Sequence, residues 1–247
     1  MSGHSKWAGI KHKKALIDAK KGKVFTKIIR ELTISARAGG GNPENNARLR
    51  KAIEDAKAAN MPTENIKKAI QRGTGELPGV SYEELVYEGY GSGGVAVMVE
   101  VTTDNKNRTH SEIKKIFSAH GGNLGETGCV GWMFQPKGYI AIAKSKSKED
   151  EIMTIAIDSG AEDVMTDDED IYEIITLPSD FSKIKTILED KKIPIETAEN
   201  TMLPSTYIKL EGDDARKMLQ LMDELEEHDD VKNVYSNFDI LNADVRR

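Results

Sequence analysis

The chain has 247 residues, a formal net charge of −6 and a single cysteine, Cys129. This length suits two or three domains, which can bury a core without disulfides or metal. A lone cysteine excludes a disulfide-rich secreted fold. No apolar run opens the chain and no stretch of about 18 apolar residues follows, so we expect no signal peptide, no membrane span and a cytoplasmic protein.

The charge is distributed unevenly along the chain. Residues 1–75 carry 17 basic and 6 acidic side chains, a net charge of +11, whereas residues 76–247 carry 18 basic and 35 acidic side chains, a net charge of −17. Such an asymmetry indicates that the basic segment meets a polyanion. We therefore expect nucleic acid to bind to the N-terminal third of the chain.

The first 80 residues have the periodicity of helices. The first apolar stripe ends at the glycines of residues 39–41. Asn42-Pro43-Glu44 then predicts the start of a second helix, because it offers a capping side chain, a proline for the first turn and an acid near the positive helix end. A short third helix ends at Gly73. The pattern predicts a small helical bundle preceded by a polar arm, residues 1 to about 23.

Two β-α-β patterns lie outside the middle of the chain. In the first, every second residue from Val95 to Val101 is Val, a helix begins near Asp104, and residues 130–134 resemble a strand. In the second, residues 207–210 and 231–238 resemble strands on either side of an amphipathic helix. Each pattern alone is half of an α+β domain.

The segment between them contains a complete unit. Tyr139 to Ala143 is a predicted strand, Ser147 is a predicted helix cap, and residues 164–165 and 171–176 form a predicted hairpin. A second helix and a strand at residues 193–197 follow. The resulting order, β-α-β-β-α-β, is typical of a ferredoxin-like domain.

We therefore predict a multidomain α and α+β fold, with an N-terminal helical bundle and two α+β (ferredoxin-like) domains, the last inserted into the other. The predicted domains are residues 1–80 with the N-terminal arm, residues 81–136 plus 203–247, and the inserted residues 137–202. The simpler alternative is two consecutive α+β domains divided near residue 145.

The N-terminal arm combines lysines with aromatic side chains. Lysines neutralise phosphates, while an indole or imidazole stacks on an exposed base. The alternative is that the lysines form a solvated helix face and that Trp7 packs on the bundle. We predict that nucleic acid is bound by His4, Lys6, Trp7, Lys11, His12, Lys13, Lys14, Lys20, Lys21, Lys23, Lys27, Arg30 and Arg37.

A second candidate site lies at the start of the helix after Asp104. Asp104 alone could cap this helix, yet Asn105, Asn107 and Arg108 add further polar groups at its positive end, which favours anions. A functional loop and a plain helix start explain this pattern equally well.

The remaining motifs do not indicate catalysis. The glycine-rich residues 89–94 precede a strand rather than a helix, unlike a dinucleotide-binding turn. The five histidines lack the spacing of metal ligands, and the acidic run at residues 167–170 lacks the spaced ligands and central glycine of a calcium loop. We expect no enzyme activity, no cofactor and no metal.

Several motifs resemble those of the YebC family, which includes the mitochondrial translational activator of cytochrome c oxidase. One departure is Cys129, which stands where the family pattern has Ser. The resemblance extends over the whole chain. It is carried by Gly3-His4-Ser5-Lys6-Trp7, Ile10-Lys11, Lys14, Asp18, Lys20, Lys23, Phe25, Ile29-Arg30-Glu31, Ala36-Arg37, Gly39-Gly40, Asn60-Met61-Pro62, Arg72-Gly73-Thr74-Gly75, Tyr87-Glu88-Gly89-Tyr90-Gly91, Thr103-Asp104-Asn105, Asn107-Arg108-Thr109 and Gly121-Gly122-Asn123-Leu124-Gly125.

The resemblance implies three domains, no enzymatic activity and a role in gene expression. Some members of the family are described as transcriptional regulators that bind promoter DNA, and others as ribosome-associated factors that relieve stalling at proline stretches. The sequence lacks a helix-turn-helix spacing or a set of base-reading side chains, whereas the Trp-His-Lys arm also suits irregular RNA. We expect DNA or ribosomal RNA as the partner, and the ribosome itself in the second case.

Overall fold

The computed structural model describes residues 21–168 and 170–240. These residues form two compact units: the first comprises residues 21–130 and 211–236, and the second comprises residues 131–210 and 237–240. The N-terminal arm before residue 21 lies outside the described residues. Within them, every helix is too short or too polar to cross a membrane.

The described residues form seven helices and ten strands. The helices are α1 (Lys21–Gly39), α2 (Ala47–Ala58), α3 (Thr63–Thr74), α4 (Lys106–Ala119), α5 (Glu149–Ser159), α6 (Phe181–Asp190) and α7 (Gly212–Glu227). The strands are β1 (Glu83–Tyr90), β2 (Ala96–Thr103), β3 (Asn123–Leu124), β4 (Phe134–Ala143), β5 (Asp163–Met165), β6 (Ile171–Thr176), β7 (Ile195–Pro204), β8 (Ile208–Leu210), β9 (Val231–Ser236) and β10 (Phe238–Ile240).

Helices α1, α2 and α3 form the predicted helical bundle. Leu32, Leu49, Ala52 and Ala69 are among its buried side chains, so the bundle has a hydrophobic core of its own. The helices α1 and α3 approach closely at Gly73, where a Cβ atom would lie 2.4 Å from the Thr33 carbonyl oxygen. This close approach explains why a residue without a side chain stands there.

The second helix begins later than the sequence predicts. Asn42-Pro43-Glu44 forms a turn, and Asn46 is the capping residue, with its Oδ1 accepting a hydrogen bond from the Leu49 amide at 3.0 Å. The Asn46 Nδ2 group also donates to the Ser35 carbonyl oxygen at 2.7 Å. Asn46 therefore connects the end of α1 with the start of α2, which the turn residues before it do not do.

The first unit also contains an antiparallel sheet in the order β3-β1-β2-β9. The prediction of a strand at residues 130–134 is wrong, because residues 131–133 form a 3-10 turn and the short strand β3 takes that place in the sheet. A tight turn at Gly121 (φ 75°) and Gly122 brings β3 beside β1, since a Cβ atom on Gly122 would lie 2.6 Å from the Tyr90 carbonyl oxygen.

The second unit contains an antiparallel sheet in the order β5-β6-β4-β7, the strand order of a ferredoxin-like domain. Ile140, Ile142, Ile174 and Leu188 lie in its core. The predicted cap Ser147 is wrong, since Lys148 precedes α5 and makes no side-chain capping bond. The predicted strand at residues 207–210 is present as β8, but it pairs with β10 in a separate parallel pair.

The structure confirms the predicted fold class of a helical bundle with two α+β domains. The sheet β3-β1-β2-β9 takes strands from both sides of residues 131–210, as an inserted domain requires. The exact domain boundaries given above stay predictions.

Candidate nucleic-acid interface

The predicted binding residues fall into two groups. His4, Lys6, Trp7, Lys11, His12, Lys13, Lys14 and Lys20 lie outside the described residues, and Lys21 is the first residue of α1. Four others, Lys23, Lys27, Arg30 and Arg37, follow along α1. The structure therefore bears directly on this second group.

Lys23, Lys27 and Arg30 lie on one face of α1, because their spacing is close to one and two helical turns. Lys23 Nζ donates to the Glu227 carbonyl oxygen at 2.8 Å, and Lys27 Nζ donates to the Glu226 carbonyl oxygen at 2.7 Å. Arg30 donates to the Asp229 carbonyl oxygen and pairs with the Asp230 carboxylate at 2.9 Å. We call this set of interactions, between these three side chains and residues 226–230, the α1–α7 contact.

The end of α7 requires such cations. The last carbonyl groups of a helix lack partners within it and carry partial negative charge. The last turn of α7 has no basic residue, and acidic residues at positions 226, 227, 229 and 230 add further negative charge. Acidic residues at this end are unfavourable by themselves, so the cations of α1 supply the compensation that α7 lacks.

Asp230 is the centre of a buried polar network. This residue is only 3% exposed. Its Oδ2 atom accepts hydrogen bonds from Arg108 at 2.8 Å, from Thr109 Oγ1 at 2.5 Å and from Thr103 Oγ1 at 3.2 Å, while its other oxygen faces Arg30. Burial alone raises the pKa, but the hydrogen bonds from Thr109 and Arg108 and the charge of Arg30 hold the pKa of Asp230 below its ordinary value.

One side chain of the predicted functional loop, Arg108, contacts Asp230 directly. Arg108 bridges Asp230 and Asp104, the latter at 2.8 Å, and its hydrogen bond with Asp230 raises its pKa. Asn105 is the cap of α4, since its Oδ1 accepts from the Arg108 amide at 3.1 Å. Asn107 is exposed, and its backbone carbonyl accepts a hydrogen bond from Ser111. The structure therefore brings Arg30 and Arg108, from the two separate candidate sites, onto one carboxylate.

A second group of charges lies between the bundle and the sheet of the first unit. Arg48 pairs with Glu31 at 2.6 Å and with Glu84 at 2.6 Å, and Lys232 pairs with Glu31 at 2.9 Å. Burial by itself raises the pKa of Glu31. Hydrogen bonds from Arg48 and Lys232 outweigh this effect and lower the pKa to about 2. Hydrogen bonding by Arg48 also lowers the pKa of Glu84. Arg48, a basic residue of the bundle, is thus used for interactions within the protein.

Other basic residues of the bundle face solvent. Arg37 donates to Ser81 Oγ at 2.5 Å and is exposed. On α3 the buried face consists of Ile66, Ala69 and Gly73, which leaves Lys67 and Lys68 on the exposed side. Further exposed basic residues on α2 are Arg50, Lys51 and Lys57. These basic side chains lie outside the α1–α7 contact, and two of them, Lys51 and Lys68, pair with Asp55 and Glu64 on their own helices.

One cluster among the described residues has ligand atoms close enough for a metal ion, namely Glu112, His228 and Asp230. His228 Nδ1 accepts a hydrogen bond from the Asp230 amide at 3.1 Å, so a neutral His228 carries its proton on Nε2, which lies 3.0 Å from Glu112. The Asp230 carboxylate is bound to two arginines. The Asp230 carboxylate, both nitrogens of His228 and the Glu112 carboxylate therefore already have partners within the protein.

Sequence reasoning missed Asp230, His228 and Glu112. The signal for Asp230 was the acidic run at the end of an amphipathic helix, where acids are unfavourable unless a distant cation compensates them. Trp132, which is 74% exposed in the second unit, was also missed. A tryptophan this exposed offers an indole face to a binding partner.

Comparison with known proteins identifies the family. Residues 5–76 match the TACO1/YebC protein N-terminal domain, and residues 82–238 match the TACO1/YebC second and third domain. The chain belongs to the TACO1/YebC family. This confirms the resemblance seen in the sequence and accounts for three domains.

Relatives in the TACO1/YebC family match along almost their full length. A protein of Endomicrobium trichonymphae, named a probable transcriptional regulatory protein, is 62% identical, with 100% of this chain and 99% of the relative covered. A relative of the same name from Dictyoglomus turgidum is 59% identical, with 97% of this chain and 96% of the relative covered. The crystal structure of a conserved hypothetical protein from Aquifex aeolicus has a TM-score of 0.81 at 50% identity and covers 96% of this chain and 98% of that chain.

Proposed function

We propose that this protein is a non-enzymatic, nucleic-acid-binding regulator of gene expression, and specifically a DNA-binding transcriptional regulator that acts in the cytoplasm. The observation that carries the proposal is the net charge of +11 on residues 1–75 beside −17 on the rest. Lysine and arginine side chains bind phosphate and release the counterions around it, which gives affinity for any sequence. The names of the TACO1/YebC relatives support a regulator of transcription.

The described part of the bundle supports the same role. Arg37, Lys57, Lys67 and Lys68 are exposed on helices that have a core of their own. A rigid helical domain with exposed cations can follow a phosphate backbone without first folding around it. We propose that these residues act together with the lysines of the N-terminal arm.

A ribosome-associated translation factor is the second candidate. Trp7 lies between His4 and His12 in a run of lysines, a composition that suits unpaired RNA bases. The exposed indole of Trp132 offers another stacking surface. Duplex DNA presents no unstacked bases to such side chains, so these two tryptophans favour RNA.

Two parallel measurements separate these functions. A cell lysate containing the tagged native protein is sedimented through sucrose after nuclease treatment of free mRNA, and in parallel the purified protein is used for footprinting on promoter DNA at physiological salt. A DNA regulator stays at the top of the gradient and protects a defined promoter segment. A translation factor co-sediments with ribosomes and leaves every promoter segment unprotected.

A matched variant controls for adventitious binding to ribosomes. Replacing Trp7 and His12 with Ala keeps the lysines, so a purely electrostatic association survives this change. Loss of co-sedimentation in this variant supports base stacking on ribosomal RNA. If the native protein neither co-sediments with ribosomes nor protects any promoter DNA, this result contradicts both proposed functions.

A further inference from the structure

The α1–α7 contact gives three basic side chains the kind of partner that nucleic acid offers. Lys23 and Lys27 each bind a backbone carbonyl oxygen, and Arg30 binds a carbonyl oxygen and a carboxylate. Phosphate oxygens are bound by the same donors through the same charge-assisted hydrogen bonds. A nucleic acid that reaches this face of α1 must therefore replace the end of α7.

The α1–α7 contact depends on side chains rather than on close packing. Across the described elements, the backbones of α1 and α7 approach one another at very few points. The side chains of Lys23 and Glu227 are 41% and 65% exposed. Ion pairs this open to water contribute little to stability and weaken further in salt. The Lys23 end of the α1–α7 contact is consequently easy to exchange for another anion, whereas the Arg30–Asp230 pair, with side chains 13% and 3% exposed, is held more firmly.

Arg30 is incompletely satisfied in the α1–α7 contact. Its side chain is only 13% exposed, and its Nε–H group is buried without a hydrogen-bond partner among the described residues. A guanidinium group has five donors in a planar fork, which matches the oxygens of a phosphate. An unpaired buried donor is unfavourable. A phosphate that bound through this group would satisfy a donor that the α7 end leaves unpaired.

The surroundings allow the exchange to occur. A cleft of about 560 Å³ lies beside the α1–α7 contact, so solvent and ligand reach the contact from one side. The cleft is lined by basic residues, among them Lys23, Arg30 and Lys115, and also by acidic residues, among them Glu227 and Asp230. The bundle also has its own core and is followed by a glycine-containing connection, residues 75–80, in which Gly75 has a φ of 84°. Because Arg48 and Lys232 also pair with Glu84 and Glu31 between the bundle and the sheet, the bundle stays joined to the sheet when the α1–α7 contact opens.

We propose that the α1–α7 contact is autoinhibitory: the acidic end of α7 occupies Lys23, Lys27 and Arg30 in place of a nucleic-acid backbone, and bound phosphates displace it. This inference rests on the proposed function. It assigns the acidic residues 226–230 a regulatory role, as an intramolecular competitor that restricts binding to ligands with enough phosphates to replace it.

A reversible cross-link tests this proposal in the full chain. Lys23→Cys and Glu227→Cys are introduced together with Cys129→Ser, and a disulfide-containing bis-maleimide joins the two new cysteines. Binding of a labelled random-sequence DNA duplex and of a labelled single-stranded RNA is measured at low salt, before and after reduction of the linker. We expect the cross-linked protein to bind at least about tenfold more weakly, because the two basic side chains of the contact that this variant keeps, Lys27 and Arg30, are blocked, and we expect reduction to restore binding.

The matched control is a cross-link in the second unit. Lys146 and Glu196 form an exposed ion pair at 2.7 Å, so Lys146→Cys and Glu196→Cys accept the same reagent. This linker should leave the affinity unchanged. The autoinhibitory role is overturned if both linkers weaken binding equally, or if cross-linking of residues 23 and 227 leaves the affinity unchanged. The proposed function stands in either case. Absence of binding by the reduced protein to both nucleic acids overturns the proposed function as well.

Discussion

The two units bury acidic side chains to the same extent but in opposite electrostatic surroundings. In the first unit Asp230 is 3% exposed and lies between Arg30 and Arg108. In the second unit Glu173 is also 3% exposed, and Tyr139 donates a hydrogen bond to it at 2.6 Å. The pKa of Asp230 is lowered by its partners, whereas burial raises the pKa of Glu173 to about 7. Burial alone thus does not set the sign of the shift, and the presence of cations decides it.

Replacing Asp230 with Ala should have the largest effect on stability. Arg30 would keep its charge in a mostly buried place without a carboxylate, so we expect the first unit to lose about 3–5 kcal/mol. Native-state hydrogen exchange of amides in β2 and β9 measures this loss separately from the amides in β4 and β6.

The neighbouring residue provides the control for that prediction. Asp229 is exposed and contributes only its backbone carbonyl to Arg30, so Asp229→Ala should change stability by less than about 0.5 kcal/mol. Similar small effects of both replacements would show that the network around Asp230 does not stabilise the first unit.

Glu173 should make the second unit less stable as the pH rises. The folded state holds its proton with a pKa of about 7, against 4.5 in the ordinary side chain, so the folded state binds more protons between these values. The contribution of Glu173 to stability is therefore largest below pH 4.5 and decreases by about 3 kcal/mol as the pH rises to neutral. Urea unfolding of the second unit across this range measures the loss.

Glu173→Gln should abolish this dependence, because a neutral amide can still accept the hydrogen bond from Tyr139. Glu151→Gln, on the exposed side of α5, provides the comparison and should retain the dependence. A pH profile that is the same for all three proteins would contradict the assignment to Glu173.

Glu31 should give the opposite and smaller pH dependence in the first unit. Its folded pKa of about 2 lies below its ordinary value of 4.5, so its contribution is present above pH 4.5 and is lost as the pH falls towards 2. Allowing for partial exposure of the side chain, this contribution is about 2 kcal/mol. Acid unfolding of Glu31→Gln, compared with the exposed replacement Glu54→Gln, measures it. An equal acid response of these two variants would refute the role of Glu31.

Much of the fold follows from local sequence patterns. Helix α1 ends near its glycines, β2 follows the alternating valines, and the inner unit has the predicted ferredoxin-like order. Local patterns did not predict the true start of α2 or the two-residue strand β3. A cap shared by two helices and a strand too short to show any period both depend on the tertiary structure.

The binding surface was only partly predictable. The charge asymmetry is a property of the sequence, but the pairing of Arg30 with Asp230 joins residues 200 positions apart. Such a pairing follows from packing and has no local signal. Three of the predicted binding residues, Lys23, Lys27 and Arg30, consequently bind residues 226–230, which the composition of the N-terminal segment did not indicate.

The salt dependence of nucleic-acid affinity shows whether the basic N-terminal segment binds phosphate. The native protein is compared with a variant in which Lys13, Lys14, Lys20 and Lys21 are replaced by Gln. Its matched control has the same replacement at four exposed lysines of the second unit, namely Lys148, Lys191, Lys192 and Lys209. We expect log K to fall linearly with log salt for the native protein. In the first variant alone, the slope should decrease by about 0.7–0.9 for each phosphate that the protein no longer neutralises. An affinity that does not depend on salt, or a slope that the N-terminal replacements leave unchanged, would contradict binding by this segment.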